Sequence, residues 1–222
     1  MVLNEPAAFD KLQGFDEVVV ATGIEPRRPD IPGIDHPKVV GYADVLAGKV
    51  QPGREVAIIG MGGIGFDVAL YLLEHGSRAP LDPGAFAAHW GFSSEGNLFN
   101  VEAEPRRHQI TMLKRSTGPF GHTLGRTTGW VHRAELARNG VRMMKGVQYL
   151  RIDDQGLHIT VDGKAALVSA ETIIVCAGQV PNRPDANEKN GVRPHFIGGA
   201  KAAGELDAER AMREGAELAA AL

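Results

Sequence analysis

Two short β-branched runs, each closed by a glycine, recur along the chain. The first is Asp16-Glu-Val-Val-Val-Ala-Thr-Gly23 and the second is Glu171-Thr-Ile-Ile-Val-Cys-Ala-Gly178. The tails correspond as well, Ile24-Glu-Pro26-Arg-Arg-Pro29 against Gln179-Val-Pro181-Asn-Arg-Pro184, so the repeat has a spacing of 155 residues. Each run predicts a buried strand, and Pro26, Pro29 and Pro32 forbid a helix after the first, leaving a rigid loop. Between the copies, Glu55-Val-Ala-Ile-Ile-Gly60 predicts a strand. Val68, Leu72 and Leu73 then fall at helical spacing over residues 66–75, with Gly76 as the stop.

Residues 77–108 lose this regularity. Pro80, Pro83, Gly84, Gly91 and Gly96 break it while Phe86, Trp90, Phe92 and Phe99 supply apolar anchors, which predicts an ordered insertion. A strand follows at 109–114, a Gly/Thr-rich stretch at 116–129, a helix at about 130–138 closed by Asn139-Gly140, and short strands at 141–144 and 147–152. Segments 156–161 and 165–168 flank Asp162-Gly163, a dipeptide suited to a type I′ hairpin turn. Phe196-Ile-Gly-Gly199 is a last strand opening into glycines. Leu206, Ala211, Ala216, Leu218 and Ala219 mark a closing helix of about 16 residues. Strands alternating with helices predict an α/β fold with a parallel, Rossmann-like sheet.

The chemistry sits at Gly60-Met-Gly62-Gly63-Ile64-Gly65, a GxGxxG turn directly after a strand and opening a helix. Gly60 allows the tight turn, Gly62 lets backbone approach a pyrophosphate, and Gly65 lets helix pack on strand. The helix N-terminus then offers N–H donors and a positive dipole end to phosphate. The next strand ends in Lys114-Arg115, not in the carboxylate that would accept from a ribose 2′-hydroxyl. Two cations suit a 2′-phosphate, so NADPH is expected over NADH. The 49 residues from Gly65 to Lys114 exceed the usual interval of about 20, so the insertion at 77–108 leaves and rejoins the sheet.

Composition narrows the partners. Glycine accounts for 28 of 222 residues, and 24 Lys and Arg against 27 Asp and Glu leave a net charge of −3, which disfavours nucleic acid. No apolar run reaches the roughly 20 residues of a membrane span, and the N-terminus lacks a signal peptide's pattern, so the expected location is the cytoplasm. Cys176 is the only cysteine, which excludes an internal disulfide and a cysteine-rich metal or iron–sulfur site within this chain. The eight histidines show no metal-ligand pairing.

Taken together, GMGGIGFDVALYL, QITMLKR, GRTTGWVHR, TIIVCAGQVPN and IGGAKAAGELDAERAMREG resemble the C-terminal FAD- and NADPH-binding region of the iron–sulfur flavoenzymes that include bacterial 2,4-dienoyl-CoA reductase and trimethylamine dehydrogenase. The resemblance covers nearly the whole chain. It implies an NADPH-binding Rossmann-like domain at 51–183, inserted in a partial FAD-binding domain at 1–50 and 184–222. It further implies hydride transfer from NADPH to FAD, with onward electron flow through a 4Fe–4S cluster and FMN in an N-terminal barrel to a dienoyl-CoA. That barrel is the implied partner, and the fragment alone is not expected to complete the reaction. No side chain of this chain is implied as catalytic.

Carried over by position, Gly60, Gly62, Gly63, Ile64, Gly65, Lys114, Arg115, Arg126 and Gly178 face NADPH. Ala21, Thr22, Gly23, Gly198, Gly199, Glu205, Leu206 and Asp207 face FAD. Lys201 stands where such enzymes usually place an acidic residue near the flavin's ribityl chain. Thr127 and Thr128 share the loop of Arg126 and either touch the adenosine phosphate or serve only as loop. Cys176 is expected to be a buried strand residue, and Trp90 and Trp130 packing anchors. Two other readings stay open: a catalytically silent ADP-binding domain of the trimethylamine dehydrogenase kind, and an NAD(P)H:acceptor flavoprotein related to the glutamate synthase small subunit.

Overall fold

The computed structural model describes residues 2–5, 9–12, 14–74, 81–93, 95–98, 107–122, 124–125, 127–184, 194–204 and 206–222. In chain order the elements begin with β1 (Val18–Val20) and β2 (Ile24–Pro26), then β3 (Val39–Gly41), α1 (Tyr42–Leu46), β4 (Glu55–Ile59) and α2 (Gly63–Glu74). Next come α3 (Pro83–His89), β5 (Gln109–Leu113), α4 (Gly129–Arg138) and β6 (Arg142–Met144). The strands β7 (Gln148–Asp153), β8 (Gly156–Val161), β9 (Lys164–Ser169) and β10 (Thr172–Val175) follow, then β11 (Gln179–Pro181), β12 (Pro194–Phe196) and α5 (Ala208–Ala221). The chain forms two compact units, one of residues 28–177 and one of residues 1–27 with 178–222.

The larger unit is built on a five-stranded sheet of order β3-β10-β4-β5-β6, parallel throughout. Its central strands read Val-Ala-Ile-Ile and Thr-Ile-Ile-Val and are buried on both faces, as parallel strands covered on both sides must be. On one face Ile58, Met112 and Ile174 pack with Phe66, Val68, Ala69 and Leu72 of α2 and Leu136 of α4. On the other, Ala57, Ile59, Leu113 and Ile173 pack with Ile152, Leu157, Ile159 and Val168 of the antiparallel sheet β7-β8-β9. Its β8–β9 turn has positive φ at both Asp162 and Gly163, as a type I′ turn requires.

Two features of this unit depart from the sequence pattern. Strand β3 and helix α1 are not anticipated, because Val39-Val40 is too short to show a period. Tertiary pairing makes it a strand, with Val39, Val40 and Gly41 in register with Ile173, Ile174 and Val175. That pairing keeps residues 28–50 with the larger unit, so the joins fall at 27/28 and 177/178 where the sequence suggested 50/51 and 183/184. Within the insertion, Pro83–His89 form helix α3, with Asp82 Oδ1 accepting from Ala85 N at 2.6 Å as the N-cap. The predicted helix stop at Gly76, and residues 75–80, 94 and 99–106, lie outside the described residues.

The smaller unit shows what the internal repeat is for. Its proline tails, expected as loops, pair antiparallel with each other as β2 and β11, joining Pro26 to Gln179, Glu25 to Val180 and Ile24 to Pro181. β1 and β12 form a parallel pair, Val18↔Pro194 to Val20↔Phe196. A 3₁₀ turn, Gly198–Ala200, then leads to α5, capped by Asp207, whose Oδ1 accepts from Arg210 N at 2.8 Å.

Candidate functional site

The glycine turn divides its work between packing and open space. Gly60 sits at φ +112°, and a Cβ there would stand 2.2 Å from the Cys176 carbonyl oxygen. Its N–H donates to Leu113 O at 2.8 Å, so the residue is wedged among the ends of β4, β5 and β10. A Cβ on Gly65 would stand 2.3 Å from Gly60 O, which fixes how closely α2 lies on the turn. Gly62 and Gly63 are exposed and would meet nothing within 4 Å. They leave a clear approach to the first turn of α2, which carries no acidic residue, so the positive end of the helix is uncompensated. Ile64 is half-buried and packs on the core beneath. A diphosphate fits here, because the chain supplies N–H donors with no side chain in the way.

The strand ends beside the turn differ from expectation. Lys114 is buried, and its ammonium donates to Gly118 O at 2.6 Å and Pro119 O at 2.8 Å. Burial first, and then the charge of Lys145, push its pKa below the usual lysine range. Lys114 therefore folds back to hold the loop that follows β5, while Arg115 is exposed at the strand end. Arg126 lies outside the described residues; Thr127 and Thr128 are exposed, and Thr128 occupies the N-cap of α4 without a side-chain cap bond. Trp130 is not a packing anchor: at 62 % exposure it stands on the outer side of α4. Phe86 and Phe92 of the insertion are exposed too, whereas Trp90 lies against the Arg138 guanidinium at 5.2 Å.

One polar cluster carried no sequence signal. Glu135 on α4 is buried, with its Oε1 3.1 Å from His89 Nε2 and accepting from Asn139 Nδ2 at 2.8 Å, which ties α3 to α4. Cys176 is buried at the end of β10, and burial pushes its thiol up to about 12, away from nucleophilic use. Among the described residues no group of three His, Cys, Asp or Glu is arranged to hold a metal ion. No helix among them is long and apolar enough to cross a membrane.

In the smaller unit, several residues expected near FAD come together. Asn182 N donates to Gly23 O at 3.0 Å, and Thr22 Oγ1 donates to Asn182 O. A Cβ on Gly199 would stand 2.9 Å from the Gly23 carbonyl carbon, so the 198–200 turn lies directly on the Gly23 backbone. Ala21 is exposed and Leu206 half-buried, while Glu205 lies outside the described residues. The turn is held from its own helix: Glu214 Oε2 accepts from Gly198 N at 2.7 Å, and Arg210 Nη1 donates to Gly204 O at 2.6 Å. The Gly198 amide and the Arg210 amide are thus already bonded, which leaves fewer donors for a flavin than an uncapped helix start would. Lys201 is exposed with its ammonium 3.8 Å from Glu214. Gly178, at φ +94°, accepts from Arg27 N at 2.9 Å and belongs to this unit, not to the unit of the glycine turn.

A cleft of about 750 Å³ lies at the opposite ends of the strands, where Arg54, Gln109 and Arg142 precede or begin β4, β5 and β6. Dinucleotides bind outside the carboxyl ends, so this cleft is not the nucleotide site.

The sequence profile of the pyridine nucleotide-disulphide oxidoreductase family matches residues 7–200. Among curated proteins, a metal reductase of Desulforamulus reducens is 31 % identical over 166 residues, covering 74 % of this chain and 24 % of the relative. A cinnamate reductase of Clostridium sporogenes is 38 % identical over 81 residues, 36 % of this chain and 12 % of the relative. The chain thus spans a quarter or less of these two relatives. Among solved structures, 2-naphthoyl-CoA reductase superposes with a TM-score of 0.66 at 25 % identity, over 90 % of this chain and 26 % of the other. An amine oxidase acting on 6-hydroxypseudooxynicotine from Pseudomonas geniculata shares the fold, with a TM-score of 0.71 at 19 % identity over 97 % of this chain and 30 % of the other.

Proposed function

The chain belongs to the pyridine nucleotide-disulphide oxidoreductase family of FAD- and NAD(P)-binding flavoproteins, and on that premise we propose that its larger unit binds NADPH and delivers hydride to FAD within a 2,4-dienoyl-CoA reductase. The observation that carries the proposal is the open approach over Gly62 and Gly63 at an acid-free helix start, with Arg115 at the neighbouring strand end. The likeness to reductases of 2-naphthoyl-CoA and of cinnamate supports an acyl substrate with conjugated double bonds. When bound, the nicotinamide supplies a hydride and the flavin accepts it.

The chain's own part is placement. Gly62 and Gly63 admit the pyrophosphate to backbone donors, Arg115 meets the ribose phosphate, and the Gly23–Gly199 contact shapes one edge of the flavin site. No side chain has to act as acid or base, since positioning and exclusion of water carry such a step. The resemblance assigns the cluster and FMN that would pass electrons onward to a barrel partner, and the single cysteine of this chain is too few to ligate a 4Fe–4S cluster.

Anaerobic addition of FAD and NADPH to the purified chain tests this division. NADPH is expected to bind, FAD to be lost on gel filtration, and 2,4-dienoyl-CoA to go unconsumed. A stoichiometric yellow protein bleached by NADPH would contradict it.

A further inference from the structure

We propose that Lys145, which follows β6, is the second cation that selects NADPH over NADH, and that Lys114 is a positioning residue for the loop between them. The proposal rests on the assignment of NADPH to the larger unit. β5 and β6 run parallel with Leu113 beside Met144, so residues 114 and 145 emerge together at the carboxyl edge, where a dinucleotide's ribose lies. The two exits are stitched together, Lys114 N donating to Met144 O at 2.9 Å, Gly146 N to Ser116 O at 3.2 Å and Val147 N to Lys114 O at 3.2 Å.

Lys114 spends two of its three protons on Gly118 O and Pro119 O and is only 8 % exposed. Its charge serves the loop. Lys145 is exposed, and among the described residues its ammonium has no hydrogen-bond or ion-pair partner; it lies 5.7 Å from the centroid of the Phe120 ring. The Lys114 ammonium stands 5.4 Å from the same centroid, so Phe120 links the two cations and holds Lys145 beside the strand exits.

Arg115 completes a group of three cations at one sheet edge, and no carboxylate among the described residues pairs with any of them. Like charges gathered without counter-ions repel one another, and a dianionic phosphate monoester relieves that repulsion. A ribose 2′-phosphate has this chemistry and a ribose 2′-hydroxyl does not. Arg115 supplies the planar fork and Lys145 a mobile point charge.

Titration calorimetry with NADPH and NADH on Lys145→Gln, Arg115→Gln, Lys114→Met and the unaltered chain tests the assignment. Lys145→Gln is expected to weaken NADPH about tenfold, the worth of one charge-assisted bond, and to leave NADH and the thermal midpoint unchanged, with Lys145→Arg restoring affinity. Lys114→Met is expected to lower the thermal midpoint and weaken both nucleotides by one common factor. Unchanged NADPH affinity in Lys145→Gln, or an equal loss for NADPH and NADH, overturns the proposal, as does a loss confined to NADPH in Lys114→Met. If Arg115→Gln still discriminates against NADPH alone in that case, the NADPH assignment stands; if the unaltered chain does not prefer NADPH, both fall.

Discussion

Gly62→Val is expected to leave a folded protein that has lost NADPH. Gly62 is exposed, a Cβ there meets nothing within 4 Å, and its φ is not in the left-handed region, so the fold tolerates a side chain. It stands at the start of α2, its carbonyl accepting from Phe66 N, and valine at such a cap position costs about 1 kcal/mol. The ligand meets a different situation. Two methyls would fill the space through which a pyrophosphate reaches the α2 amides. Losing one or two charge-assisted bonds at about 1.5–3 kcal/mol each weakens binding roughly 100-fold. Calorimetry paired with thermal unfolding reads both effects, and NADPH binding within threefold of the unaltered chain would remove the glycine turn from the site.

Gly60→Val, two residues earlier, is expected to do the reverse, failing as a fold before binding is in question. Its Cβ would stand 2.2 Å from the Cys176 carbonyl oxygen and 2.7 Å from the carbonyl carbon, both backbone atoms of a strand end that cannot yield as a flexible side chain could. At φ +112° a β-branched residue is also strained. Strain of about 1–3 kcal/mol and overpacking of a similar size together remove roughly 4 kcal/mol. For a chain of this length that is a fall of about 8–16 °C in the thermal midpoint. A midpoint within 2 °C of the unaltered protein would show that the turn does not close against β10 as described.

The contrast between these two glycines explains what was legible in the sequence. Strand, glycine turn and helix at 55–74 announce themselves because period and punctuation coincide within twenty residues, and the recurring 16–23 and 171–178 runs announce two further strands. The roles of Gly60 and Gly65 follow from the turn itself. What stayed hidden depends on partners distant in sequence. Lys114 looks like a free strand-end cation until Gly118 and Pro119 are seen to curl back over it. Lys145 attracts no notice 31 residues later, until β6 pairs with β5. Glu135 gives no sign that it is buried against His89, and Trp130, a large aromatic in a short helix, reads as core but faces solvent. Val39-Val40 becomes a strand only because β10 offers an edge.

NADPH, NADH and ADP titrated separately into the purified chain by calorimetry decide whether this is an NADPH-binding unit. The cations at the strand exits predict that NADPH binds at least about tenfold more tightly than NADH or ADP, a preference that shrinks as salt screens the phosphate contact. Equal affinity for all three would contradict it and remove the assignment of a 2′-phosphate site to the strand exits.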